Sequence, residues 1–296
     1  MGNISPLFRQ QRTVRKEVSF SGIGLHTGEI VTLRFCPAPE DSGVAFRRID
    51  LPGQPEIPAL VQNVQDTSRC TTIGVDTVSI HTVEHVLAAV AAYGIDNLMI
   101  EVDGIEPPVG NGSSDVFVEL IEESGIAEQK ANVAIRRLPS PVYHSDGEVH
   151  LVALPSETFK VTYTLSYPDN QCLKAQYFTL DVDTESFKRE IAPCRSFGLY
   201  EEMGPLLQRN LIKGVSLANA VVVHGDAVFS KGGLFFPDEM VRHKVLDLIG
   251  DLFLIGTPLL THIIAVKSGH TSHRALSTKL LNSLMMENSN GDPHSG

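Results

Sequence analysis

The sequence predicts an α+β fold, and three observations carry that prediction. Segments with the two-residue alternation of strands come in runs, with a few helices between them rather than a helix after every strand; this favours α+β over a doubly wound α/β sheet. Two segments are apolar almost all round at helical spacing, the mark of a buried helix. The chain has 296 residues, 42 % hydrophobic and 20 % charged. That is enough for two domains of about 130 to 150 residues, each with its own core.

Residues 14–20 and 29–36 read as strands, the second with Val31, Leu33 and Phe35 on one side and Thr32 and Arg34 on the other. Between them, Ser21 to Gly28 is a glycine-punctuated turn; it lacks G-x-G-x-x-G spacing and no helix follows, so it is no phosphate loop. Strong helix formers make 82–92 a helix, which leads through Gly94 into a strand at 97–102. The loop 106–114 ends in serines that can cap a helix over 115–123. Periodicity lapses across 125–132, and the domain boundary is set there, giving domains 1–131 and 132–286. Strands open at Val133 and follow at 149–154, 159–167 and 175–180. Helices at 185–190 and 199–212, a strand at 218–223, a helix through 241–251, a strand at 262–267 and a helix at 272–285 complete the second domain. The polar tail 287–296 is expected to be disordered.

Charge and composition remove several function classes. A net charge of −11 argues against nucleic acid as a partner. An anionic small molecule would need local cations, such as Lys244, Arg242 or Arg195. No apolar run approaches the ~18 residues of a membrane span. The amino terminus lacks the basic and apolar regions of a secretion signal. The four scattered cysteines read as free thiols. A cytoplasmic, monomeric protein without integral membrane segments is expected.

Chemistry concentrates in two clusters. In Val241-Arg-His-Lys-Val-Leu-Asp-Leu-Ile-Gly-Asp251, His243, Asp247 and Asp251 recur every fourth residue and so share one face of an otherwise apolar helix. Buried imidazole and carboxylates need partners, and one divalent metal satisfies several at once; the alternative is a solvated stripe of ion pairs. The second cluster, His81-Thr-Val-Glu-His85, spells H-x-x-E-H. In one reading His81 and His85 bind zinc and Glu84 is the base of an inverzincin peptidase. In the other only His85 binds, with His243 and Asp247 completing the set; this uses both clusters and is preferred. A non-catalytic metal-binding protein is a third possibility. In Lys267-Ser-Gly-His270, His270 is a candidate general acid held by a carboxylate such as Asp251, or else a surface histidine capping the last helix. Ser196 offers a hydroxyl to an oxyanion. Cys70 reads as a buried, inert thiol, and His144, His150, His224, His273 and His294 as surface or loop residues.

These segments, with Gly22-Ile-Gly-Leu-His-Thr-Gly28, Arg195-Ser-Phe197 and Gly214-Val-Ser-Leu217, resemble the UDP-3-O-acyl-N-acetylglucosamine deacetylase family in order from about residue 14 to 284. The resemblance implies two similar domains, each a layer of helices on a sheet, with the site between them. It implies zinc deacetylation of an acylated UDP-N-acetylglucosamine at the committed step of lipid A synthesis. It matches His85, His243 and Asp247 to zinc ligands, Glu84 to the general base and His270 to the general acid. Asp251 falls where the family orients that histidine, and Ser196 where a hydroxyl lies near the oxyanion. Lys244, Phe197 and His26 match substrate-contacting positions. An insert at about 199–223, with Leu206, Leu207, Leu211 and Ile212, would form an apolar passage for the acyl chain. Three residues depart from the family: Ser196 replaces a threonine, Asn111 stands where an aspartate is usual, and His81 replaces a non-ligand residue.

Overall fold

The computed structural model describes residues 7–290, with side chains through residue 286. Strands and helices segregate into layers, as an α+β fold requires. The helices are α1 (Glu84–Ala92), α2 (Asp115–Ser124), α3 (Thr184–Glu190), α4 (Tyr200–Gln208), α5 (Glu239–Phe253) and α6 (His270–Asn290). One mixed sheet orders Val18–Ile23, Ile30–Pro37, Leu98–Val102, Val44–Arg48 and Glu56–Pro58. Val31, Leu33 and Phe35 are buried beneath it, on the face their alternation predicts. A second sheet is centred on Leu259–Val266, flanked antiparallel by Val149–Pro155 and parallel by Lys160–Ser166.

The two halves meet helix on helix. α1 packs along α5, α5 rests on Lys160–Ser166 and Ala175–Asp181, and α6 covers Val142–Asp146 beside α5. A single apolar core runs through both halves, from Phe35 and Phe46 through Leu87 and Leu248 to Ile263. No helix of the described residues is long and apolar enough to cross a membrane.

Three local expectations are corrected. The strand expected to open at Val133 begins at Ile126: Ile126–Arg137 is one long strand that pairs with Leu7–Val14 and, at Arg136 and Arg137, with Leu259 and Leu260. The 131/132 boundary therefore falls inside a strand that joins the halves. Apolar alternation fails here because a polar group sits inward with partners: half-buried Gln129 accepts from Asn97 at 2.7 Å and donates to the Ala38 carbonyl at 3.0 Å. α4 stops at Gln208, short of residue 212. α6 starts at His270 and runs through 287–290, residues assigned to the tail; 291–296 lie outside the described residues.

Candidate active site

α5 presents His243, Asp247 and Asp251 on one face, and the first turn of α1 adds Glu84 and His85; all five are buried. Gly250 explains how the helices come so close. A Cβ there would lie 2.0 Å from the Glu84 carbonyl oxygen, so only glycine permits the contact, although helical glycine costs about 1 kcal/mol. Backbone strain gathers at the same place. Thr82 (φ 54°) and Lys267 (φ 52°) adopt left-handed conformations that side chains, above all β-branched ones, rarely take. They turn the chain just before Glu84 and just before the loop to His270.

His85, His243 and Asp247 each offer one ligand atom to a group lying within 4.8 Å of one another. The Nε2 atoms of His85 and His243 stand 3.6 and 3.3 Å from Asp247 Oδ1. His243 Nδ1 donates to the Cys194 carbonyl at 3.0 Å, which leaves the Nε2 lone pair facing the carboxylate. Burial lowers the His243 pKa to about 4, although Asp247 pulls the other way. Electron-pair donors thus converge, an arrangement that calls for a cation among them. Two imidazoles and one carboxylate suit a divalent metal with open coordination positions. Lys244 Nζ holds the other oxygen, Asp247 Oδ2, at 2.8 Å. Burial alone would raise the Asp247 pKa, but His243 and Lys244 hold it well below the usual carboxylate range.

Glu84 Oε2 accepts the Thr71 N–H at 3.0 Å, and its Oε1 lies 3.9 Å from His270 Nε2. Burial pushes the Glu84 pKa up, opposed by His270 and His85; a base working near neutrality needs that direction. Asp251 is a hub: Oδ1 accepts Thr71 Oγ1–H at 2.5 Å, and Oδ2 accepts from Nδ1 of both His270 and His273 at 2.7 Å. Burial would lower the His270 pKa, but Asp251 outweighs it and lifts the imidazole to about 9.

A cavity of about 500 Å³ opens over these groups, and His26, Ser196, Phe197 and Lys244 also line it. Ser196 Oγ lies 3.3 Å from His243 Nε2. His26 sits in the glycine turn pinned by Glu106, whose carboxylate accepts the His26 and Thr27 N–H groups. Gly24 leaves room for that carboxylate, since a Cβ would stand 2.2 Å from Glu106 Oε1. The insert is fastened to this turn by Lys213 N–H to His26 O at 3.2 Å and Gly214 N–H to Leu25 O at 3.0 Å. Its contribution to the wall is Leu199, Met203, Leu206, Ile212 and Val215. Of the four residues expected there, Leu206 and Ile212 line the cavity, Leu207 is exposed, and Leu211 is not on the wall.

Other sequence expectations change. His273 is fully buried on Asp251, not a surface residue. Arg195 and Arg242 are not free cations: Arg195 is buried against Glu239 at 2.8 Å, and Arg242 pairs with Glu190 and Asp238. His81 joins no converging ligand group among the described residues; its Nδ1 lies 3.1 Å from Thr72 Oγ1. His144 lines the cavity, His150 bonds Ser145, and His224 is an exposed partner of Glu201; His294 lies outside the described residues. Cys70 is buried, and burial pushes its thiol pKa up to about 12, as suits an inert group. Asn111 Oδ1 accepts from the N–H and Oγ–H of Ser113. It thereby shapes the loop whose Gly112 carbonyl accepts the Ser196 N–H and whose Ser114 hydroxyl bonds the His85 carbonyl. Thr71 leaves a single signal in the sequence, a hydroxyl beside the buried Cys70.

Residues 11–282 match the model of a family described as UDP-3-O-acyl N-acetylglycosamine deacetylase. The chain is 49 % identical over 281 residues to the UDP-3-O-acyl-N-acetylglucosamine deacetylase of Chlamydia muridarum, covering 95 % of this chain and 98 % of that one. It is 47 % identical over 279 residues to the protein of that name from Chlamydia pneumoniae, covering 94 % and 99 %. Against the one from Chlamydia trachomatis serovar L2 it is 47 % identical over 281 residues, covering 95 % and 98 %.

Proposed function

The chain belongs to the UDP-3-O-acyl N-acetylglycosamine deacetylase family, and from that premise we propose that it hydrolyses the N-acetyl group of UDP-3-O-(3-hydroxyacyl)-N-acetylglucosamine with the help of zinc. The products are acetate and the free amine, and the step is the committed one of lipid A synthesis in a Gram-negative cytoplasm. The observation that carries the proposal is the convergence of His85, His243 and Asp247 within 4.8 Å of one another, beside Glu84 and His270.

Zinc held by those three residues would supply Lewis acidity to the acetyl carbonyl and lower the pKa of water. Glu84 Oε1, which Thr71 leaves free, takes a proton from the attacking water. Ser196 Oγ donates to the oxyanion as negative charge develops on the carbonyl oxygen. His270, charged through Asp251, then delivers its Nε2 proton to the nitrogen as the C–N bond breaks. Lys244 and His26 hold the polar part of the substrate beside Phe197. The acyl chain follows Leu199, Met203, Leu206, Ile212 and Val215. Free thiols at Cys36, Cys70, Cys172 and Cys194 support a reducing compartment.

The test is acetate release from the acylated UDP-sugar by purified protein, before and after chelation and after zinc is restored. Release that stops with the chelator and returns with zinc is expected. Release that ignores the chelator, or none from zinc-loaded protein, overturns the proposal.

A further inference from the structure

α6 buries a stripe at helical spacing made of His273, Leu276, Leu280 and Leu284. Three positions carry leucine; the first carries an imidazole that is fully buried. Burying a polar ring is costly unless both nitrogens are bonded, and here both are. Nδ1 lies 2.7 Å from Asp251 Oδ2 and Nε2 lies 2.9 Å from Ser268 Oγ. The carboxylate oxygen can only accept, so Nδ1 donates and a neutral ring accepts the Ser268 hydroxyl at Nε2. Ser268 is anchored in turn, because its carbonyl accepts the buried Tyr163 hydroxyl.

We propose that His273 is a positioning residue for proton transfer: by donating to the same Asp251 oxygen as His270, it fixes the carboxylate that aims His270 Nε2 at the leaving nitrogen. The inference rests on the reading of His270 as general acid. Asp251 is held at both ends, Oδ1 by Thr71 and Oδ2 by two imidazoles. Without the His273 donor, the Asp251–His270 unit keeps only the Thr71 pin and pivots about it. Ground-state binding is untouched, because His273 does not line the cavity, whereas His270 does.

Two substitutions separate positioning from core filling. In His273→Asn the amide nitrogen takes the place of Nδ1 and keeps the bond to Asp251. In His273→Gln the amide group reaches toward Nε2, keeping Ser268 and losing Asp251. The glutamine variant is expected to lose about 10- to 100-fold in kcat, the usual effect of removing a hydrogen-bond partner behind a functional group, with KM unchanged. The asparagine variant is expected to retain most of kcat. In protein carrying 15N-labelled histidine, His273→Gln should remove one low-field imidazole N–H resonance and shift that of His270. Wild-type kcat in His273→Gln, an equal loss in both variants, or an unmoved His270 resonance overturns the inference. If both variants fail to fold, the wild-type protein decides: low-field imidazole N–H resonances from both His270 and His273 support the shared carboxylate, and one from His270 alone sinks it. His270→Ala is measured alongside. If it retains wild-type kcat, the general-acid reading fails; if it collapses while His273→Gln does not, only the present inference fails.

Discussion

In α5, 12 of 15 residues are buried, and the ligand face lies against α1 with no room for a side chain at Gly250. In α4, none of the 9 residues is buried and Pro205 interrupts the hydrogen bonding. An ion pair that ties it to the first half of the chain, Arg69–Glu202 at 2.6 Å, is about half exposed on both sides, a kind worth about 0–1 kcal/mol. On the proposed reading, the reacting groups stand where displacement disturbs a continuous core, and the part of the acyl-chain wall that α4 supplies stands where displacement costs little. Geometry must be held tightly for proton transfer, whereas a methylene chain needs only apolar area. Substitutions at the α1–α5 contact should act on kcat and metal content, and substitutions in the insert on substrate selection.

The largest effect is expected at Asp247. Asp247→Ala should lose zinc and activity together, while His81→Ala keeps both, because His81 faces Thr72 rather than the ligand group. Metal analysis of the two proteins checks this, and zinc lost from His81→Ala but kept by Asp247→Ala would reverse the assignment. Glu84→Gln should retain zinc and lower kcat by about 10²- to 10⁴-fold; near-normal turnover would remove Glu84 from the chemistry.

The pH profile tests the acid and base together. Glu84 must be ionised, and burial raises its pKa, so activity should fall on the acid side at a pH above the ordinary glutamate range. His270 must be protonated; Asp251 raises it to about 9, so activity should fall as pH rises toward that value. A zinc ion nearby repels the imidazolium and draws the alkaline limb lower. His270→Ala should erase the alkaline limb and leave the acid one.

Gly250→Ala asks whether the close helix contact matters. The added methyl meets the Glu84 backbone, and overpacking of this kind costs about 1–3 kcal/mol. Thermal unfolding should report that loss, with kcat lowered in the fraction that remains folded. Wild-type stability and kcat would show that α1 can move away freely.

The same contrast explains what the sequence made legible. The α5 stripe was readable because polar residues recurred every fourth position in an apolar helix, and Glu84-His85 because they open a run of small apolar residues. Thr71 was not readable: its bond to Asp251 joins residues 180 apart, and a lone hydroxyl leaves no periodic trace. His273 joins no constellation in the sequence when the last helix opens at Ser272; in the structure Ser272 and Gly269 bond each other and the helix begins at His270. With the start correctly placed, His270 and His273 fall three apart on one face. Strands Leu7–Val14 and Ile126–Arg137 hid for a different reason, since Gln11 and Gln129 at inward positions are both satisfied by Asn97 and mask the alternation.

The smallest effect on the fold is expected in the insert. Leu206 is half-buried on a helix with no buried residue, so Leu206→Ser should change unfolding stability by no more than about 0.5 kcal/mol, as surface positions do. Its effect on substrate should be larger and depend on chain length. Each methylene buried is worth about 0.8 kcal/mol, so wild-type protein should lose roughly tenfold in kcat/KM when the acyl chain is shortened by two carbons. In Leu206→Ser that dependence should flatten, long-chain substrates losing most and short-chain ones least, with kcat preserved at saturation. Measuring kcat and KM across a series of chain lengths decides it. A loss in kcat that is equal for all chains would mean that the insert holds the reacting groups and not the acyl chain, and the division of labour between α5 and α4 would be wrong.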